Sequence, residues 1–174
     1  TAPAAQALGA EPLTPEKSTN FSAGLTFTPA SNLSVTLDVY QIDVDDRIAM
    51  STQFNRGDTR AADGGGSIGD QISLLLDAAG FDQSLGAVNY FTNAIDSRTQ
   101  GVDIVATYSL DLADYGDVRL SAALNLNDTE VTDVKANPAE LEAIGDSYAY
   151  FASREITRFE DGTPQDKWTL AAIW

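Results

Sequence analysis

Carboxylates dominate the side chains that could carry chemistry, with 26 Asp and Glu against 10 Lys and Arg and a formal net charge of −16. Asp43, Asp45 and Asp46 could offer hard oxygen ligands to Ca²⁺, but this spacing lacks the glycine and closing Glu of an EF-hand loop. Paired carboxylates could also hydrolyse glycosides, although nothing in the sequence selects one pair. We therefore expect neither a metal site nor an enzyme.

Histidine and cysteine are absent from the chain. Their absence excludes, within this chain, a Ser–His–Asp triad, a Cys nucleophile, a His-ligated zinc and an iron–sulfur cluster. We expect no cofactor. An acidic chain repels phosphate backbones, so nucleic acid is not an expected partner. The segment Thr1–Pro3 has neither Met nor a signal pattern, and we expect the chain to begin part-way through a longer protein.

Apolar residues recur at every second position in several long segments, which is the period of a half-buried strand. Phe21, Leu25 and Phe27, for example, alternate with small polar residues. In the second segment the phase changes after Val39, which indicates either a β-bulge or a strand leaving its first environment. The pattern predicts strands over 18–28, 33–50, 89–110, 117–134 and 167–174.

The predicted connections alternate between short turns and long loops, the loops covering 51–88 and 135–165. Within the first loop, Gln71–Gly80 is predicted as a short helix with Asp70 as its N-cap. In the second, Pro138–Gly145 is predicted as one or two helical turns with Asn137 as N-cap. Connections this long are uncommon and usually functional.

Alternating short and long connections are typical of up-and-down membrane barrels, whose strands face lipid and a polar lumen in turn. A soluble secreted β-sandwich, acting as a binding or adhesion module, also alternates and is the competing interpretation. Strand length and loop asymmetry favour the barrel, because sandwich strands usually hold five or six residues. The predicted fold is all-β, with antiparallel up-and-down strands forming part of a large transmembrane β-barrel and long extracellular loops that contain short helices.

Four motifs carry a resemblance to a known family. Leu13–Ser18 reads L-T-P-E-K-S before an alternating strand, and Asp38–Ile48 resembles a D-x-Y-x-I-x-I-x-D-x-I strand. Asn93–Asp103 resembles an N-A … T-x-G-V-D strand, and Asp161–Lys167 resembles the G-x-P-x-x-K start of another. In this order the motifs resemble TonB-dependent outer-membrane receptors and cover most of the chain.

That resemblance implies active uptake of a scarce ligand, such as a ferric siderophore, cobalamin or a glycan, across the outer membrane of a Gram-negative bacterium. A family member is a barrel of about twenty-two strands around a plug, driven by periplasmic TonB. Residues 1–174 would then be a C-terminal-half segment of the barrel wall without a plug domain. Its expected partners are outer-membrane lipid, the rest of its own barrel and plug, the TonB complex through the missing N-terminal part, and a small-molecule ligand.

The resemblance also orients the chain and points to its ligand site. The strand after Lys17 would run inward to the periplasm, which makes 51–88 and 135–165 extracellular. Because the outer loops of this family contribute to ligand binding, we expect contacts from residues there, either charged or aromatic. The candidates are Arg56, Asp58 and Arg60 for an anionic or chelated ligand, and Tyr148, Tyr150 and Phe151 as an aromatic platform.

Overall fold

The structure is a computed structural model, and it describes residues 2–145, 151 and 153–174. In chain order the elements are α1 (Pro3–Gln6), β1 (Lys17–Ala30), β2 (Leu33–Met50), β3 (Phe54–Asn55), α2 (Ile68–Ala78), β4 (Ala87–Val88), β5 (Phe91–Asp111), a 3-10 helix (Ala113–Tyr115), β6 (Asp117–Val134), a second 3-10 helix (Ala139–Ile144), α3 (Ser153–Glu160) and β7 (Asp166–Ile173). The long strands form one five-stranded sheet of order β1-β2-β5-β6-β7, and β3 and β4 form a separate two-stranded sheet.

The long strands lie within two residues of their predicted ends. β2 and β6 cover the predicted ranges 33–50 and 117–134, while β5 begins at Phe91 rather than at 89. β6 and β7 are antiparallel, in a register that runs from Arg119 opposite Ile173 to Leu126 opposite Asp166. The predicted all-β, mainly antiparallel fold is confirmed.

One surface of the sheet, which we call the apolar face, carries the alternating hydrophobic residues of every long strand. Across β6 and β7, Leu124 lies opposite Trp168 and Ala122 opposite Leu170. Leu170 is 78% exposed and Leu25 is 61% exposed, so no second sheet from the described part of the chain packs on these side chains. A β-sandwich requires such a second layer. The apolar face includes Leu25, Leu37, Val39, Val102, Ile104, Leu120, Leu124, Leu126, Trp168 and Leu170.

The opposite surface of the sheet is polar and is hydrogen-bonded between strands. The hydroxyls of Thr26 and Thr36 lie 3.1 Å apart, which joins β1 to β2. Asn125 Nδ2 donates to Asp103 Oδ1 over 2.6 Å, which joins β6 to β5. We call this surface the polar face. A sheet that is apolar on one side and hydrogen-bonded on the other suits a wall between hydrocarbon and water.

The phase change after Val39 falls inside unbroken β2. Among the described residues other than glycine, positive φ occurs at Asp46 (56°) and Ala113 (53°), and not at Val39 or Tyr40. Gln41 continues the face of Val39, and its Nε2 donates to Asp43 Oδ2 over 2.7 Å. Gln41 and Asp43 therefore lie on one side of β2, which favours a strand that leaves its first environment, and a bulge at this position stays a prediction.

The chain divides into two compact units. The loop unit comprises Thr1–Lys17, Val44–Asp96 and Val131–Arg158, and the sheet unit comprises Ser18–Asp43, Ser97–Glu130 and Phe159–Trp174. All buried apolar residues that the structure describes belong to the loop unit. Its fully buried side chains include Leu8, Phe54, Ile68, Ile72, Leu76, Ile95, Leu141 and Ile144.

Two predicted helix starts are corrected. α2 is capped by Ser67, whose hydroxyl accepts from the Asp70 amide over 3.1 Å, while the Asp70 carboxylate accepts from the Ser67 amide over 2.8 Å. Asp70 is therefore the N3 partner of a capping box rather than the N-cap. The second predicted helix is a 3-10 helix whose N-cap is Pro138, so the prediction of Asn137 as N-cap is wrong.

Candidate functional site

The predicted loop 51–88 is folded around its own core. α2 turns Ile72 and Leu76 inward, and both side chains are fully buried. β3 brings Phe54 against Tyr90, with ring centroids 5.8 Å apart in a stacked arrangement. The backbone of this loop therefore holds its charged side chains in defined positions.

Arg56 connects separate segments of this loop through its hydrogen bonds. Its Nε donates to the Leu85 carbonyl over 2.8 Å, and its Nη1 donates to Asp77 Oδ1 over 2.7 Å. Nη2 donates to the Phe81 carbonyl over 3.0 Å. The side chain is only 6% exposed, so its guanidinium donors are directed at the loop. A cation beside the last turn of α2 also opposes the negative end of the helix dipole.

Arg60 and Asp58 form a second, more accessible pair. Arg60 Nε and Nη2 lie 3.0 and 2.5 Å from the two carboxylate oxygens of Asp58, a forked arrangement. The Arg60 side chain is 63% exposed, whereas that of Asp58 is 13% exposed. The hydrogen bond from Arg60 holds the pKa of Asp58 below its usual value. Arg60 thus presents a fixed cation to solvent at any physiological pH.

The loop around this pair is held close to α2 by a glycine. The Gly69 amide donates to the Asp58 carbonyl over 2.9 Å. A Cβ at position 69 would lie 2.2 Å from the Arg56 carbonyl oxygen, so only glycine fits without displacement.

The predicted aromatic platform is described only in part. Phe151 is 3% exposed and belongs to the buried residues of the loop unit. Tyr148 and Tyr150 lie outside the described residues. The contribution of aromatic side chains to a ligand site stays a prediction.

A polar cleft in the loop unit was not predicted. It has a volume of about 650 Å³ and its lining includes Asp46, Asn93, Lys135 and Glu140. Lys135 Nζ donates to Asp46 Oδ1 over 2.5 Å, across 89 positions of sequence. The cleft therefore offers a cation, carboxylates and an amide in one concave surface.

Asn93 holds one wall of this cleft. Its Nδ2 donates to the carbonyls of Thr14 and Asp46 over 2.9 and 2.5 Å, and its Oδ1 accepts from the Thr14 amide over 2.9 Å. Asn93 belongs to the N-A motif noted above, so the motif was a signal of this site. Thr14, whose backbone pairs with Asn93, belongs to the L-T-P-E-K-S motif, so that motif was also a signal of this site.

Metal-binding chemistry is not evident in the described part of the chain. No group of three His, Cys, Asp or Glu side chains comes together there. Of the acidic residues considered for Ca²⁺, Asp43 pairs with Arg98 in the sheet unit, and Asp46 pairs with Lys135 in the loop unit.

Comparison with known proteins identifies the family. No helix among the described residues is long and apolar enough to cross a membrane. No curated protein and no solved structure matches the chain. The family described as TonB dependent receptor-like, beta-barrel, matches residues 1–174. With its one-sided apolar sheet and long folded loops, the chain belongs to the TonB-dependent receptor β-barrel family.

Proposed function

We propose that this chain is barrel wall and extracellular loop of a receptor that imports a scarce ligand across the bacterial outer membrane. The family consists of outer-membrane receptors and transporters rather than enzymes. The observation that carries the proposal is the exposed apolar face, with Leu170 78% and Trp168 68% exposed on a sheet whose reverse side is polar. In water, such an exposed apolar surface promotes association. In a bilayer, a closed barrel built from such a sheet can face the lipid while its backbone stays hydrogen-bonded.

The loop unit supports a role in ligand capture. Its cleft of about 650 Å³ falls within the usual size of small-molecule sites. Lys135, Asp46 and Glu140 give it both signs of charge, which suits a ligand with several polar groups, such as a chelate or a glycan. Arg60 adds an exposed cation held by Asp58. Tyr148 and Tyr150 remain proposed contacts, whereas the burial of Phe151 and the packing of Arg56 favour structural roles for these two residues.

The proposed orientation places β1 running inward and the loops 51–88 and 135–165 outside the cell. Uptake would then need the plug and the TonB complex, which act through parts of the receptor outside these residues. The competing interpretation, a soluble binding module, would need a partner layer for the apolar face. The exposure of that face argues against it.

Uptake by cells that carry the full-length receptor tests the proposal. The probes are radiolabelled ferric siderophores, radiolabelled cyanocobalamin and fluorescent oligosaccharides, each supplied to matched strains with and without TonB. We expect one probe class to accumulate only when receptor and TonB are both present, with the receptor in the outer-membrane fraction. Recovery of the protein in the soluble fraction, or uptake that is indifferent to TonB, would contradict it.

A further inference from the structure

The apolar face of the sheet unit ends abruptly at one level. On β2 the residue after Val39 on this face is Gln41, and on β5 the corresponding change is from Val102 to Gln100. Leu126 of β6 is followed on the same face by Asp128. All six residues line one shallow depression, so the change occurs at adjacent places on neighbouring strands.

Polar side chains beyond this level are bonded into a continuous row. Gln100 Nε2 donates to Gln41 Oε1 over 2.8 Å, and Gln41 Nε2 donates to Asp43 Oδ2 over 2.7 Å. Arg98 Nε donates to Asp43 Oδ1 over 2.6 Å. We call these four residues, Gln41, Asp43, Arg98 and Gln100, the polar row.

The polar row has the chemistry of an interface rather than of a hydrocarbon surface. Its one cation and one carboxylate neutralise each other, and the side chain of Arg98 is still 41% exposed. Charged groups that face lipid are strongly unfavourable at the bilayer centre and nearly neutral at its edge. The amides and the exposed guanidinium leave donors and acceptors for sugar hydroxyls and phosphates.

The distance to the other end of the apolar face fits this interpretation. From Val102 to Leu110, β5 spans about nine residues, and a tilted strand needs about nine to eleven to cross the hydrocarbon layer. Beyond that end, Trp174 Nε1 donates to the Tyr115 carbonyl over 2.8 Å, and both rings are largely exposed. Exposed Trp and Tyr are typical of the membrane–water boundary.

We propose that the polar row lies in the headgroup layer of the outer leaflet and sets the height of the barrel wall in the membrane. The boundary of the hydrocarbon passes between Val39 and Gln41 on β2, and between Val102 and Gln100 on β5. This inference rests on the proposed placement in the outer membrane and on the orientation given above. The partner is a lipid surface, and the matching height of the apolar face favours it over a second protein.

Spin labels at single cysteines test the position of this boundary, because the chain has no cysteine of its own. The variants are Leu37→Cys, Val39→Cys, Gln41→Cys and Asp43→Cys, in the full-length receptor with any cysteine elsewhere replaced, in bilayers of outer-membrane lipid. Thr36→Cys, on the polar face of the same strand, is the matched control. Each label is measured for collisions with oxygen, which concentrates in hydrocarbon, and with a water-soluble nickel chelate.

We expect labels at 37 and 39 to favour oxygen, and the oxygen-to-nickel ratio to fall severalfold between 39 and 43. The label at 36 should favour nickel throughout. Oxygen-rich labels at both 41 and 43 would overturn the boundary while leaving the outer-membrane placement intact. Nickel-rich labels at 37 and 39 would overturn that placement as well. Accessibility at 41 that depends on the protein-to-lipid ratio would show a second copy on this face instead of headgroups, and would also overturn the proposal.

Discussion

Lys135 and Asp46 meet across 2.5 Å in the polar cleft, although 89 positions separate them in sequence. Their side chains remain 44% and 32% exposed, so solvent screens the pair and it adds little to stability. We therefore expect Lys135→Met to lower ligand uptake at limiting ligand by more than any loss of stability explains. Uptake and thermal unfolding of the same preparation measure the two effects. Arg158→Met, an equal change of charge on α3, is the control, and an equal loss of uptake in both variants would contradict this role.

Removal of the Arg56 side chain should lower the local stability of the 51–88 loop. Arg56→Met leaves the carbonyls of Phe81 and Leu85 without their charged donor, and hydrogen bonds to charged groups are worth about 1.5 to 3 kcal/mol. We expect faster amide hydrogen exchange across α2 and residues 81–85. Arg60→Met removes an exposed pair, so it should change the free energy of opening that exchange reports in this segment by less than about 1 kcal/mol. Equal effects of the two variants would show that Arg56 does not fasten the loop.

The cap of α2 gives a smaller and more local effect. Ser67→Ala removes the acceptor for the Asp70 amide, and such caps are worth about 1 kcal/mol. Exchange of the first-turn amides of α2 should accelerate, while β5 and β6 keep their protection. Ser73→Ala, in the same helix, is the control. A uniform change in exchange over the whole chain would contradict this expectation, because it would show that the cap affects global stability rather than α2 alone.

Acidification should weaken the loop unit. Hydrogen bonds lower the pKa of Asp58, chiefly through Arg60, and that of Asp82, chiefly through Ser84. A folded-state pKa below the unfolded value of about 3.9 means that each carboxylate stabilises the fold above that pH and loses this contribution as the pH falls through the folded pKa. Pepsin cleavage within 51–88, divided by pepsin cleavage of an unfolded peptide at the same pH, should therefore rise on going from about pH 5 to about pH 2. Asp58→Asn should make this dependence shallower, and an unchanged profile would remove Asp58 from the explanation.

Gly101 tests a close approach on the polar face. A Cβ at this position would lie 2.2 Å from the ring of Tyr40, so Gly101→Ala must displace that ring. Overpacking of this kind costs about 1 to 3 kcal/mol, and the contact of Tyr40 with Asn125 would also be lost. The midpoint of heat unfolding in detergent should fall. Gly86→Ala, where the added Cβ meets nothing within 4 Å, should leave the midpoint unchanged.

The strands were predictable because their signal is local. The alternation around Leu25 or Leu124 is set by which surface each residue faces, and a period of two is visible within a few residues. The phase change after Val39 was visible for the same reason. Its cause needed the structure, because it depends on Gln100 and Arg98 of another strand.

The loop residues were less predictable because their roles depend on distant partners. Arg56 and Arg60 look alike in sequence, yet one is 6% and the other 63% exposed. The contact of Lys135 with Asp46 joins segments that no local pattern relates. Ser67 and Asp70 have the spacing of a capping box, but a single carboxylate before an apolar run resembles an N-cap equally well, and the sequence prediction took Asp70 as the N-cap. Leu8 is fully buried although residues 1–10 carried no periodic signal.

The strict alternation of the two faces restricts how such a chain can change its length. One residue inserted between Gly101 and Val102 would exchange the two faces for the rest of β5, placing Asp103 toward lipid and Ile104 toward the polar side. Two residues would keep the faces but shift Val102 by about 6.6 Å along the strand relative to its neighbours. Insertions and deletions in homologous genes should therefore collect in 51–88 and 135–165, and the loops of this wall can diversify in length while its strands are inherited nearly unchanged.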